Sequence, residues 1–255
     1  MRVRVWGVDK PRKMRYNIRP YFGGLGDSLQ FSTFPEHLTE LGHEVYLYTG
    51  KDVVPFRNSE IKKLWDCNPY IKGETTENWN MGDIPGVPYI NATNSFIGNW
   101  EHAFGLPRKH DLPKIYYQPK CDAIGDLKHC KYGGIIELSA IYHKYDSKKL
   151  IESIRHLIAI RDDMEWLQLT SIYQENPIQL QELPQLEIKS IFELCDVIAD
   201  CRIFASTLSG QHSLGAAVQR INPYFKQYCF IPTNDYKMVM DSKKFVFPNI
   251  EYLKT

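Results

Sequence analysis

Gly23-Gly24-Leu25-Gly26-Asp27 is the segment that most restricts what this chain can fold into. It separates two stretches of different period. Met14 to Phe22 alternates as a strand does. Ser28 to Leu41 carries Leu29, Phe34, Leu38 and Leu41 near the helical period, with Gly42 placed as a C-terminal stop. His43 to Thr49 then reads as a second strand. A strand, a glycine loop, a helix and a strand in that order open a doubly wound sheet.

The rest of the chain continues the alternation, which predicts α/β architecture. From about Trp65 to Pro113 the sequence reads as irregular, with Pro69, Pro85, Pro88 and Pro107 among many Gly and Asn. Ile115 to Pro119 is expected to be the last strand of the first half, and Cys121 to Tyr132 a linker. A second series follows: strands at Gly133–Ser139, Met164–Leu169 and Cys201–Ser206, and helices at Ser147–Arg161 and Ile188–Asp196. Another helix starts at Leu214, and the last strands are Tyr228–Ile231 and Lys244–Phe247. The expected fold is α/β with two Rossmann-like domains, 1–120 and 121–255, facing across a cleft. Ligands in such folds sit beyond the carboxyl ends of the strands.

Composition narrows the partners. Lys+Arg 31 against Asp+Glu 30 excludes a partner held by bulk charge, while leaving local basic patches open. One such patch is the N-terminal run of Arg2, Arg4, Lys10, Arg12, Lys13, Arg15 and Arg19. It suits a phosphorylated saccharide, an anionic membrane surface or a nucleic acid, or it is a solvated edge. No stretch approaches the ~18–20 uninterrupted apolar residues of a membrane-spanning helix. The start of the chain lacks the apolar core of a secretory signal. A cytoplasmic location is expected, with peripheral membrane contact left open. The six cysteines form no C-x-x-C pair, so they read as reduced thiols packed as small apolar groups. Cys121, His129 and Cys130 do not have the spacing of a structural zinc site, and Asn91-Ala92-Thr93 is a chance glycosylation match. Trp79 and Trp100 are candidates for a stacking platform or for partial burial.

Two loops carry candidate chemistry. Behind the first glycine loop, a helix N-terminus presents unpaired N–H groups and a partial positive charge. Gly24 and Gly26 let the backbone approach a ligand closely. Asp27 then reads either as a general base for an attacking hydroxyl or as the helix N-cap. The second loop runs from Ser206 to Ser213, again between a strand and a helix. Ser206, Thr207, Ser209, Gly210, Gln211, His212 and Ser213 together offer hydroxyls, a bare backbone, an amide and an imidazole to phosphate oxygens. The alternative is a capped helix with no ligand. Lys144, after the first strand of the second half, reads as a diphosphate partner or as a solvated surface lysine. The Walker, Gly-x-Ser-x-Gly and His-Glu-x-x-His motifs are all missing.

Three stretches together resemble the GT-B glycosyltransferases, in particular the ADP-heptose:lipopolysaccharide heptosyltransferase family. Gly24-Leu25-Gly26-Asp27-Ser28-Leu29 is similar to that family's opening Gly-x-Gly-Asp loop and helix, and Asn68-Pro69-Tyr70 to its recurrent Asn-Pro-Tyr. Ser206 to Leu214, followed by Ala216-Ala217, is similar to its donor loop. The sequence departs from the pattern in having Leu208 at the family's donor-loop Asp, and Ser213 at the family's His with His212 one residue early. The resemblance implies a glycosyltransferase that moves a sugar from a nucleotide-sugar to an acceptor hydroxyl. It further implies inversion without a metal or other cofactor, Asp27 as base, and Ser209, Gly210 and Lys144 at the donor diphosphate. The expected acceptor is a saccharide or glycolipid, with a nucleic acid also open. The alternative class is a non-catalytic nucleotide-sugar or glycan binding module on the same fold. A Rossmann oxidoreductase is disfavoured because the last glycine of Gly-x-Gly-x-x-Gly is missing.

Overall fold

The structure is a computed structural model. It describes residues 13–18, 24–50, 59–77, 95–103, 105–120, 132–139, 145–171, 178–222, 224–243 and 245–255. Strands and helices alternate in two parallel sheets. In the first, β1 (Arg15–Ile18), β2 (Glu44–Tyr48) and β3 (Ile71–Thr75) pair in sequence order. Arg15 lies opposite Glu44, and Lys13 Nζ and Arg15 Nε reach that carboxylate at 2.9 and 3.5 Å. Two cations of the basic run thus serve the sheet edge; the run's other members lie outside the described residues.

The single helix expected over 28–41 is two helices, α1 (Leu25–Leu29) and α2 (Phe34–Glu40). Pro35 has no N–H to continue the first helix and is well placed in the first turn of the second. In the intervening turn Ser32 Oγ donates to Leu29 O at 2.8 Å, and Phe31 packs inward against Phe34 and Trp100. The stretch read as irregular contains β3 and α4 (Phe96–Ala103), and α3 (Ser59–Asp66) precedes it, ending in its first residues. Asn68 makes the entry to β3: its Oδ1 accepts the Tyr70 N–H at 3.0 Å. Ile115 to Pro119 pairs with no strand among the described residues. Just before it the Lys114 N–H donates to Ser32 Oγ at 2.9 Å, and within it the Tyr117 ring stacks on Phe192 with centroids 4.4 Å apart.

The second sheet has the order β6-β5-β4-β7-β8-β9. Its strands are β4 (Tyr132–Glu137), β5 (Glu165–Ser171), β6 (Gln185–Ile188), β7 (Ile203–Thr207), β8 (Lys226–Ile231) and β9 (Ile250–Lys254), all parallel. The order reverses between β4 and β7, which is where a doubly wound sheet opens a crevice at its carboxyl edge. The covering helices are α5 (Ser147–Ala159), α6 (Ile191–Asp200), α7 (Gly210–Val218) and α8 (Thr233–Ser242). Ser190 caps α6 by accepting the Glu193 N–H at 3.1 Å, so Ile188 remains in β6 rather than starting the helix. Of the strand expected at Lys244–Phe247, Lys244 lies outside the described residues and 245–247 form a bend: Phe245 has φ 59°, outside the strand region, and the final strand is β9.

Two apolar clusters join the sheets. One runs from Ile18, Phe31 and Phe34 to Leu208, Ala216 and Cys229. The other joins Leu29, Leu64 and Ile115 to Phe204, Leu214 and Val218. Cys195, Cys201 and Cys229 are buried free thiols, as small apolar groups are, while Cys121, His129 and Cys130 lie outside the described residues. Trp100 is 1% exposed, so it belongs to the core and offers no stacking face. Trp79 and Asn91 lie outside the described residues.

Candidate functional site at the meeting of two glycine loops

Gly24, extended at φ −77° and ψ 153°, is the N-cap of α1. Asp27 is therefore in the first turn and is not the cap; its half-buried carboxylate adds to the favourable end of the helix dipole. That carboxylate folds back over the helix start, with Oδ2 3.2 Å from the position a Cβ on Gly24 would take.

One residue earlier, Gly26 is buried against the second loop. A Cβ there would lie 3.3 Å from Gly210 Cα, 3.3 Å from Ser213 Oγ and 3.4 Å from Phe245 Cε1. The start of α1 and the start of α7 thus touch directly. Gly26 and Gly210 allow close packing of the two helix starts, since a Cβ on either would crowd the other helix. Gly23 and Lys144 lie outside the described residues.

The second loop leaves the carboxyl end of β7 beside that of β4, where Glu137 is the register partner of Ser206. Ser206 and Thr207 are buried, Ser209 is the N-cap of α7 without a side-chain cap bond, and Ser213 is fully buried. Ser206 Oγ, Thr207 Oγ1, Ser209 Oγ and Ser213 Oγ, together with Ser139 Oγ just after β4, have no hydrogen-bond partner among the described residues. Buried hydroxyls are normally satisfied. Several orphans together, at a helix N-terminus and at the point of strand reversal, make a site suited to an oxygen-rich anion. Gln211 is half-buried in the first turn of the same helix.

His212 departs from expectation. It is 0% exposed, its Nδ1 lies 3.0 Å from Ser209 O, and its Nε2 lies 2.8 Å from Phe245 O. With both nitrogens on backbone carbonyls, the ring fastens the loop to the 245–247 bend and does not reach a phosphate. Tyr252 helps hold that bend: its hydroxyl donates to Phe245 O at 3.0 Å and accepts the Phe247 N–H at 2.8 Å. The first of these bonds ends at Phe245, whose backbone sits in the left-handed region, and the second ends two residues on, so together they brace the strained bend.

Tyr145 was not singled out by the sequence. Its hydroxyl accepts the Leu208 N–H at 2.9 Å and donates to Phe230 O at 2.8 Å, fixing the loop against the sheet. Burial pushes its phenol well above the ordinary range. Its place beside Lys144, in the run after the first strand of the second half, was the available signal.

Comparison with solved structures gives the fold. A glycosyl transferase of family 9 from Veillonella parvula superposes with a TM-score of 0.65 at 8% identity, over 95% of this chain and 86% of that one. The chain shares the fold of these glycosyltransferases. The iron-containing dodecameric glycosyltransferase TibC of enterotoxigenic E. coli gives 0.63 at 12% identity, over 93% of this chain and 64% of that one. The E. coli ADP-heptose lps heptosyltransferase II gives 0.57 at 10% identity, over 94% and 90%. No protein-family model matches the sequence, and no curated protein matches it. Among the described residues no helix is long and apolar enough to cross a membrane.

Proposed function

We propose that the protein is a GT-B glycosyltransferase that moves a sugar from a nucleotide-sugar donor to an acceptor hydroxyl. The observation that carries this is the group of unpartnered buried hydroxyls at the reversal point of the second sheet, in contact with the helix that bears Asp27. The shared fold supports the class of reaction. In this reading the donor diphosphate lies over Ser206, Thr207, Ser209 and the start of α7. The helix dipole and hydroxyl donors there favour the charge that develops on the leaving oxygen. Lys144 adds a cation, so no metal is needed.

The Asp27 carboxylate takes the proton of the acceptor hydroxyl. The acceptor oxygen forms a bond to the anomeric carbon from the face opposite the donor phosphate. The bond from that carbon to the phosphate oxygen breaks, and the nucleoside diphosphate leaves with the electron pair. The anomeric configuration is inverted. The acceptor is a saccharide or glycolipid, and the protein works at the cytoplasmic side. An adenosine diphosphate sugar is the first donor to test, because a neighbour is named for one.

The test is release of nucleoside diphosphate from labelled nucleotide-sugars. Asp27→Asn should abolish transfer with donor affinity largely kept, and near-normal turnover in that variant refutes the role of Asp27. Tight donor binding with no release from the unaltered protein would assign it instead to a non-catalytic binding module.

A further inference from the structure

A buried cluster between α2 and α4 is used by none of this chemistry. His37, Glu101 and His110 are 3%, 0% and 7% exposed. One oxygen of Glu101 accepts the backbone N–H groups of Lys109 at 2.7 Å and His110 at 3.2 Å. Its other oxygen lies 2.6 Å from His110 Nδ1 and 3.4 Å from His37 Nδ1. Burial raises the Glu101 pKa, but the bonds from His110 and the two backbone groups outweigh it and hold the carboxyl below the ordinary value. The carboxylate is therefore ionised at neutral pH. Among the described residues no Lys or Arg pairs with it, so its charge faces only two imidazoles. His37 Nδ1 is buried and has no hydrogen-bond partner among the described residues. A lone ring nitrogen aimed at a buried carboxylate is an incomplete arrangement without a cation between them.

We propose that His37, Glu101 and His110 bind a divalent first-row transition ion, with zinc the best match, which pins α2 to α4 and to the segment after it. Two imidazoles and one carboxylate are a ligand set zinc accepts, and the three ligand atoms lie within 4.8 Å of one another. Zinc–ligand distances of ~2.0–2.1 Å separate neighbouring ligand atoms in a tetrahedron by roughly 3.3 Å. The His37–Glu101 separation already matches, and the His110–Glu101 separation must open by roughly 0.7 Å as the ion replaces the shared proton. The His110 ring then carries its proton on Nε2 in place of Nδ1, and water takes the fourth position. Burial of all three ligands makes the ion structural, without access to a substrate.

The experiment uses the full chain, stripped with EDTA and titrated with CoCl2 and with ZnCl2 at neutral pH. Cobalt should give the visible d–d bands of a tetrahedral N/O site at one ion per chain, and zinc should raise the melting temperature to saturation at the same ratio. His37→Gln removes one ligand and no hydrogen bond, so it should fold and lose at least the ~10–100-fold in affinity that outer-shell changes cost. Absence of d–d bands together with an unchanged melting temperature in the unaltered protein overturns the proposal, whatever the variant does. Equal cobalt binding by a folded His37→Gln overturns it as well.

Discussion

Gly210 stands where no side chain fits, because Leu25 and Gly26 occupy the space. A Cβ on Gly210 would come within 2.8 Å of Leu25 Cβ and 3.1 Å of the Gly26 nitrogen. The two loops that the sequence marks for chemistry are therefore locked to each other through their glycines.

Gly210→Ala should destabilise the protein by ~1–3 kcal/mol, the range for overpacking a close contact. Its nearest neighbours are backbone and a Cβ, which cannot swing away. Gly26→Ala, with contacts of 3.3–3.4 Å, should cost less. Urea unfolding of both variants measures the order, and a milder effect at Gly210 would contradict the packing.

Glu36 joins α2 to the segment that leads into the second sheet. It accepts from Lys114 Nζ at 2.7 Å, Tyr116 Oη at 3.0 Å and Tyr70 Oη at 3.3 Å. Burial raises its pKa, but these bonds and the Lys114 charge leave it below the ordinary 4.5. A carboxyl depressed in the folded state contributes stability that is present above its unfolded value and is lost as pH falls through the folded one. Glu36→Gln should lower stability at pH 7 by roughly 1.5–3 kcal/mol, the scale of bonds to a charged group. It should also flatten the loss of stability below about pH 4.5. Denaturant melts across that range test both effects, and an unchanged acid limb would remove Glu36 from the account.

Tyr117 and Asp196 form a second link between the sheets. The phenol lies 3.0 and 3.2 Å from the two carboxylate oxygens, and one of these also accepts the Lys120 N–H at 2.7 Å. Burial first, and then the carboxylate, push the Tyr117 phenol up to about 12. A double-mutant cycle of Tyr117→Phe and Asp196→Asn should show a coupling of ~0.5–3 kcal/mol. Additive effects would mean that the bond holds nothing together.

The alternation of strands and helices, the glycine loop, the hydroxyl loop and the helix over 147–161 were all legible, since each is written in local period or local chemistry. Short elements were not. The segments of β3, β6 and α8 are brief and flanked by prolines and polar residues, whereas α3 did carry a signal in Ile61, Leu64 and Trp65 at helical spacing. Residues of the candidate site divide in the same way. Ser206, Thr207, Ser209 and Ser213 were found because hydroxyls before a helix are a local pattern. That His212 faces two carbonyls was not, because Phe245 lies 33 residues away. The cluster of His37, Glu101 and His110 was silent for the same reason: no spacing of ligands along the chain announces it. Sequence by itself determined the class of fold and which loops are rich in donors, since both depend on neighbours along the chain. Only the tertiary structure decided which glycines touch, which imidazoles are spent on backbone, and which buried charge faces a bare nitrogen. Those outcomes depend on contacts closed by packing across tens of residues, where local preference carries no information.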